Sequence, residues 1–300
     1  MAKPRQDLGG WVALITGGAG GLGRAIAARL IERGMHCVLV DINPAALDHA
    51  VRALGPHASA QVADLTDPAA REALVQSVQQ QWGRLDVLIN NAGIVGTTPF
   101  ELRSQASIRG EMELNLLAPM LLTHSLLSQL QRASSGRVIS IVSLGGMFPL
   151  PESTVYSASK FGLRGAMLCL GLDGERLGVR FSVVNPSATE TPMLMREAIH
   201  GGNKLQFMDP PQTPDEVALQ VLRCLDEPCL ERFVRTSESW TVRLAMLLPN
   251  LLGKVLPMFQ RSAQRGHQRY LASLVDRGLV RQHNGQWELT AEPLERSHPR

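Results

Sequence analysis

Short apolar runs alternate along this chain with longer segments of helical periodicity, and a glycine or an aspartate stands at several of the junctions. The runs are nearly continuously apolar, which is typical of strands covered by helices on both faces. Strands connected through helices in this way form parallel sheets. Five strands are predicted, at residues 11–16, 36–41, 85–90, 136–143 and 179–185.

This alternation predicts a Rossmann-like, doubly wound parallel sheet within a three-layer α/β domain. The 300 residues are 44% hydrophobic and 19% charged, so one large core is possible and wholesale disorder is excluded. Asn43, Asp67 and Thr213 each precede a proline, the favoured start of a helix. Residues 188–212 break the periodicity and predict a long loop with one short helix, the usual form of a lid.

Glycines cluster between the first predicted strand and the first predicted helix. Without Cβ atoms, such a turn lets backbone amides approach a pyrophosphate. A tight turn alone would also explain the cluster, but Asp41 ends the second strand 18 residues after Gly23, near the spacing of a ribose-binding acid. The sequence therefore predicts a dinucleotide site containing Gly17, Gly21, Leu22, Gly23 and Asp41.

Asp41 also distinguishes between two dinucleotides. Its carboxylate can accept hydrogen bonds from both ribose hydroxyls but would repel a 2′-phosphate. Neither Gly20 nor Ile42 supplies a compensating cation. NAD is therefore expected as the cofactor, in preference to NADP.

Tyr156 and Lys160 stand four residues apart on one face of a helix predicted to begin near Ser153. Such a pair is often only part of a solvated face. Ser143, however, ends an apolar strand 13 residues before Tyr156, at the edge where parallel sheets present ligand-binding groups.

With these motifs, the chain resembles the classical short-chain dehydrogenase/reductase family over roughly residues 9–236. Residues 16–23 match its glycine motif, residues 90–93 its Asn-Asn-Ala-Gly motif, and Asn115 its helix asparagine. The resemblance implies a catalytic set of Asn115, Ser143, Tyr156 and Lys160. It also implies cofactor contacts from Asp64, Leu65, Asn91, Ala92, Gly93, Tyr156, Lys160, Pro186, Thr189 and Thr191.

In the mechanism that the resemblance implies, Tyr156 exchanges a proton with the substrate oxygen. Lowering the pKa of a tyrosine from near 10 to about 7 requires roughly 4 kcal/mol, and the Lys160 ammonium is the expected source. Ser143 would bind the substrate oxygen, and Asn115 would support a water relay to Lys160. One position departs from the family pattern, because Ser187 replaces its usual glycine.

These features predict an NAD-dependent oxidoreductase acting on an apolar secondary alcohol or ketone of steroid, retinoid, fatty or terpenoid type. The alternative is a non-catalytic binding or regulatory protein with the same fold. A homodimer or homotetramer is expected. The predicted substrate pocket contains Gly145, Met147, Phe148 and Met193.

Charge and cysteine content narrow the possible partners and location. Residues 261–300 hold seven arginines and four acids, which leaves 23 residues of each sign in residues 1–260 and no basic face for nucleic acid. The four cysteines lack metal-site spacing, so no metal is predicted. The first ten residues lack the apolar segment of a secretory signal, and a cytoplasmic location is expected.

The chain is expected to divide into a dinucleotide-binding and catalytic domain at residues 1–236 and a helical extension at residues 237–300, packed on or near the substrate pocket. Charges and prolines interrupt the Leu-rich segment 240–259, so it is predicted to be a broken amphipathic helix rather than a membrane span. Arg261, Arg265 and Arg269 then form a stripe at helical spacing. The stripe is either an ordinary solvated face or a contact with an anionic membrane surface.

Overall fold

The computed structural model of the chain describes residues 7–283 and 286–290. Seven strands form one wholly parallel sheet in the order β3-β2-β1-β4-β5-β6-β7. The doubly wound α/β prediction is confirmed. The strands are β1 Val12–Thr16, β2 His36–Asp41, β3 Ala58–Val62, β4 Val87–Asn90, β5 Arg137–Ile141, β6 Arg180–Asn185 and β7 Glu231–Phe233.

Helices cover both faces of this sheet, and one buried apolar cluster lies on each face. The helices are α1 Gly21–Ile31, α2 Pro44–Leu54, α3 Pro68–Trp82, α4 Gln105–Met112, α5 Ala118–Ser125, α6 Leu127–Gln131, α7 Thr154–Leu172, α8 Gly174–Leu177, α9 Pro192–His200, α10 Pro214–Asp226, α11 Thr236–Leu247 and α12 Leu252–Asp276.

The five predicted strands are all present, whereas the two outermost strands were missed. β3 has one buried residue, Ala58, and β7 has only three residues, none of them buried. A strand at the edge of a sheet is less completely covered, so it lacks the continuous apolar run that identifies a central strand.

Each predicted helix start is confirmed by its capping contacts. Asn43 accepts a hydrogen bond from the backbone of α2, Asp67 from that of α3, and Thr213 forms a capping box with Glu216 in α10. Thr191 and the proline after it begin α9 in the same way, inside the segment predicted as a loop with one short helix. That helix is nine residues long, and a short 3-10 helix, Lys204–Phe207, follows it.

The C-terminal extension bends sharply. A 3-10 turn at Pro249–Leu251 separates α11 from α12. The extension also contains a hairpin that the sequence analysis missed, formed by β8 Val280–His283 and β9 Gln286–Leu289. Together with α9 and the 3-10 helix, α12 and the hairpin enclose a third small core with Phe207 and Tyr270 at its centre.

Within the described residues, no single helix is long and apolar enough to cross a membrane. Thr236–Leu247 and Pro249–Asp276 are long and apolar enough only when taken together, and the two segments are bent by 91° relative to each other.

Gly266 permits the close approach of α12 to the 3-10 helix, because a Cβ there would overlap the carbonyl oxygen of Phe207. We predict that Gly266→Ala lowers the free energy of unfolding by about 1–3 kcal/mol and exposes α12 to trypsin. Gly253→Ala is the matched control in the same helix, since nothing lies within 4 Å of the added Cβ. It should raise the free energy of unfolding by up to about 1 kcal/mol. Equal effects of the two variants in urea unfolding would contradict this packing.

Candidate active site

A cavity of about 1,020 Å³ lies at the carboxyl ends of the central strands β1 and β4. From β1 the chain continues to β2 on one side of this point, and from β4 it continues to β5 on the other side. This reversal of strand order is where doubly wound sheets bind ligands. One end of the cavity contains the glycine turn after β1 and Asp41 after β2. The other end is closed by α9, α11 and α12.

The glycine turn is shaped for an anionic ligand. Gly17 has a φ of +63°, and a Cβ at Gly23 would overlap the carbonyl oxygen of Gly17. No side chain caps the N-terminus of α1 at Gly20. The first amides of that helix are therefore available to a pyrophosphate, which fits the predicted dinucleotide.

Hydrogen bonds join this turn to the end of β4. Thr16 Oγ1 donates to the Ile89 carbonyl and accepts from the amides of Asn91 and Ala92, both at 3.0 Å. The Asn91 side-chain amide donates to the carbonyls of Thr16 and Gly17. Asn91, Ala92 and Gly93 consequently form part of the cavity wall.

Asp41 faces the glycine turn. Its carboxylate accepts from the amides of Ala19 at 3.3 Å and Asn43 at 3.2 Å. Within the described part of the chain, Lys160 and Arg196 are the lysine and arginine residues of the cavity wall, and neither is on the elements around Asp41. Among the described residues that line the cavity, none therefore places a cation beside Asp41 for a 2′-phosphate.

Two residues expected near the cofactor do not line the cavity. Asp64 accepts hydrogen bonds from the amide and hydroxyl of Thr66, which hold the pKa of its carboxyl below the usual value. Leu65 is buried in the core on one face of the sheet. Both follow β3, which pairs with β2 beside Asp41 at one edge of the sheet, and their contacts with a cofactor stay a prediction.

Ser143 and Tyr156 meet beside Gly145, because a Cβ on that glycine would lie within 3.4 Å of both side chains. Burial raises the pKa of Tyr156 to about 12, the hydrogen bond with Ser143 opposes this shift, and the carboxylates of Glu197 and Glu111 increase it. The lowering of this pKa by the Lys160 ammonium stays a prediction. Burial is the largest influence on the pKa of Tyr156, and it favours the protonated phenol because a phenolate is costly to desolvate.

Lys160 lies behind Tyr156, with Nζ 5.8 Å from the ring centroid. Nζ donates to the Ile141 carbonyl at 3.1 Å. Burial lowers its pKa to about 8, and Glu111 opposes this shift. Lys160 is therefore mainly an ammonium at neutral pH.

Asn115 occupies a π-helical segment, Glu113–Leu117, between α4 and α5. Such segments often occur at functional sites. Asn115 is fully buried outside the cavity wall and exchanges two hydrogen bonds with the backbone of Ile94, at 2.8 and 2.9 Å. A Cβ on Gly93 would lie 3.1 Å from Asn115 Oδ1 and 3.5 Å from Lys160 Nζ, so the two side chains adjoin the same glycine.

The structure places three of the four predicted pocket residues, Gly145, Phe148 and Met193, in the cavity wall. Met147 is instead buried, with 7% of its surface exposed, and does not line the cavity. Glu197, which the sequence patterns did not predict as a site residue, lines the cavity one helical turn after Met193. The spacing of four residues between Met193 and Glu197 could have indicated this, because residues four apart lie on one face of a helix.

Ser187, the departure from the family pattern, connects the loop after β6 to the extension. Its hydroxyl donates to Glu238 Oε1 in α11 at 3.2 Å. The Gln212 side chain donates to Glu238 Oε2 at 3.0 Å and accepts from the Ser187 amide. Pro186, Thr189 and Thr191 of the same loop line the cavity, so this network holds α11 over it.

Comparisons with known proteins agree with this geometry. A family model for short chain dehydrogenases matches residues 11–200. Levodione reductase of Leifsonia aquatica is 34% identical over 218 residues, 70% of this chain and 79% of that protein. Dehydrogenase/reductase SDR family member 7B of Bos taurus is 32% identical over 268 residues, 85% of this chain and 82% of that protein.

A solved structure is also similar. The 3-ketoacyl-(acyl-carrier-protein) reductase of Brucella melitensis, complexed with NADH, superimposes with a TM-score of 0.67 at 26% sequence identity. The superposition covers 76% of this chain and 98% of that one.

Glu197 provides a test of burial in the cavity. Burial raises the pKa of its carboxyl to about 7, and the hydrogen bond from Gln206 at 3.0 Å opposes the shift. Between its ordinary pKa of 4.5 and about 7, the folded state binds more protons than the unfolded state, so stability falls as pH rises through this window. We predict that wild type loses about 3 kcal/mol relative to Glu197→Gln across it.

The measurement is urea unfolding of both proteins from about pH 5 to about pH 8. Glu175→Gln, an exposed change on α8, should follow wild type throughout. Parallel pH curves for wild type and Glu197→Gln would show that Glu197 is solvated in the folded protein.

Proposed function

This chain belongs to the short-chain dehydrogenase family, and on that premise we propose that it is an NAD-dependent oxidoreductase of apolar secondary alcohols or ketones. The observation that supports this proposal is one continuous cavity. It joins the glycine turn and Asp41 to Tyr156 and Ser143, and then to an apolar wall.

A nicotinamide dinucleotide is the cofactor, and it supplies or accepts the hydride when bound. We propose that the glycine turn binds its pyrophosphate and that Asp41 binds the adenosine ribose hydroxyls. The absence of a cation around Asp41, within the described residues, favours NAD over NADP. The other proposed contacts come from Asn91, Ala92, Gly93, Lys160, Pro186, Thr189 and Thr191.

In ketone reduction, Tyr156 donates its phenolic proton to the carbonyl oxygen while the Ser143 hydroxyl binds the same oxygen. The raised pKa of Tyr156 keeps this proton on the phenol until the substrate oxygen becomes basic. The Lys160 ammonium then stabilises the phenolate and binds the nicotinamide ribose hydroxyls. Asn115, beside Lys160, supports the water relay that returns the proton.

The substrate end of the cavity is mainly apolar, which favours steroid, retinoid, fatty or terpenoid substrates over sugars. Residues before 237 supply the catalytic groups, and the C-terminal extension completes the wall. The acidic side chains of this region are Glu197, Asp209 and Glu238, and the Glu197 carboxyl can accept a hydrogen bond from a second polar group on the substrate. The apolar lining comes from Phe148, Leu150, Met193, Leu205, Met208, Val242, Ala245, Leu252 and Leu256.

We also propose that the chain is a homodimer or homotetramer. Leu117, Met120 and Leu121 near α5 are exposed, and Phe161 is exposed on the adjacent α7. A face that carries four large apolar side chains on neighbouring helices is suited to a second copy.

A screen of secondary alcohols with NAD tests the function. We predict turnover of lipophilic alcohols in preference to sugar alcohols, and at least about 10²-fold loss of turnover in Tyr156→Phe with NADH binding nearly intact. Lys160→Ala should lose both turnover and cofactor affinity. Residual Tyr156→Phe activity above about a hundredth of wild type would exclude the proton-transfer role, and no turnover of any alcohol would favour a non-catalytic binding protein.

We predict that Asp41→Ala raises the NADP to NAD ratio of kcat/KM, because it removes both the repulsion of a 2′-phosphate and the hydrogen bonds to the ribose. Asp48→Ala is the matched control, since Asp48 is exposed on α2 and lies outside the cavity wall, and its ratio should stay near that of wild type. An unchanged ratio in Asp41→Ala would remove Asp41 from the ribose site.

A further inference from the structure

The bend between α11 and α12 exposes an unusual amount of apolar surface. Of the 21 exposed large hydrophobic side chains in the described residues, eight fall within residues 240–259. Trp240 is 60% exposed, Leu247 72% and Met258 78%. Six of the eight form what we call the apolar ridge: Trp240, Leu244, Leu247, Leu248, Leu251 and Met258.

The ridge is held against the protein body rather than lying on a free segment. Arg243 in α11 pairs with Glu231 at 3.2 Å, and its guanidinium lies 5.0 Å from the Phe233 ring and 5.9 Å from the Trp240 ring. Farther along, Tyr270 of α12 stacks on Phe207 in the small core. Both helices are therefore anchored, so they can lie on a surface but cannot together span a bilayer without leaving these contacts.

Cations accompany the ridge along α12. Lys254, Arg261, Arg265 and Arg269 are exposed and make no ion pair with any residue that the structure describes. Their spacing places them on the outward face of the helix with Met258. Residues 236–276 contain five lysines and arginines but only two acids. One of these acids, Glu238, accepts hydrogen bonds from Ser187 and Gln212.

The inner side of the same bend is the wall of the active-site cavity, to which Val242, Leu252 and Leu256 contribute. Val255 and Phe259 both line the cavity and are exposed to solvent, 40% and 42% respectively. These two residues therefore form the rim of the cavity. The rim lies between the apolar interior of the cavity and the apolar ridge.

We propose that the apolar ridge docks on the surface of an anionic phospholipid bilayer. The ridge enters the boundary between headgroups and acyl chains, and the α12 cations contact lipid phosphates. The cavity rim then faces the bilayer, and a lipophilic substrate passes between the two without crossing water. This last step rests on the proposed function, whereas the docking itself does not.

The charge pattern favours a bilayer over a second copy of the chain. Two ridges packed face to face would bring the α12 cations of both copies together, and the described residues of the extension supply few acids to compensate. The chain has a separate apolar face around Leu117 and Phe161 for self-association. An anionic surface, by contrast, complements both the cations and the ridge.

Vesicle sedimentation of the full chain tests the proposal. We expect binding to equimolar phosphatidylcholine and phosphatidylglycerol to exceed binding to phosphatidylcholine alone and to weaken as salt increases. The double variant Leu247→Asp, Met258→Asp should lose at least about tenfold in vesicle affinity. Leu172→Asp is the matched control, since Leu172 is 77% exposed on the body, and it should bind as wild type does.

Arg261→Gln with Arg265→Gln should lower affinity for the anionic vesicles selectively, while Arg176→Gln, also exposed, should not. Absence of pelleting with either vesicle type overturns the proposal, as does binding that is equal for both or unaffected by the ridge variant. Ridge-dependent self-association without lipid binding, measured by sedimentation velocity, would assign the ridge to a second copy. Turnover of a water-soluble alcohol without vesicles is measured separately, so failure of the proposed function is distinguishable from failure of docking.

Discussion

The hydrogen bonds of Thr16 at the junction of β1 and β4 are the constraint on which the rest of the site depends. They fix the glycine turn against Asn91 and Ala92 at the point where the chain passes from one side of the sheet to the other. Because every strand in the sheet is parallel, the ends of β5 and β6 reach the same edge. Ser143 and the loop containing Ser187 therefore lie along one cavity with the glycine turn, although they are distant in sequence.

Burial sets the electrostatics of that cavity. Burial raises the pKa of Tyr156 and lowers the pKa of Lys160, because a phenolate and an ammonium are both costly to desolvate. Glu111, fully buried and paired with Arg103 at 2.6 Å, supports the charged form of Lys160 and the neutral form of Tyr156. The site thus holds a neutral acid next to a cation, an arrangement suited to donating one proton and stabilising the anion that remains.

The C-terminal extension completes the cavity and also produces the exposed surface. Ser187, Gln212 and Glu238 attach α11 to the loop after β6, and Gly266 allows α12 to pack closely on the 3-10 helix. With one side of the bend used as cavity wall, the other side has no partner among the described residues. The same helices consequently present apolar side chains both to the active site and to the exterior.

Local patterns in the sequence determined the central strands, the capped helix starts, the glycine turn and the grouping of Ser143, Tyr156 and Lys160, because each depends on residues close in the chain or on a regular spacing. Tertiary structure alone decided the rest. The edge strands lack a continuous apolar pattern, the pKa of Tyr156 follows from burial by distant elements, and Ser187 acquires its role only where Glu238 of α11 reaches it. The burial of Met147 outside the cavity wall likewise depends on how strands and helices pack, which residue spacing does not encode.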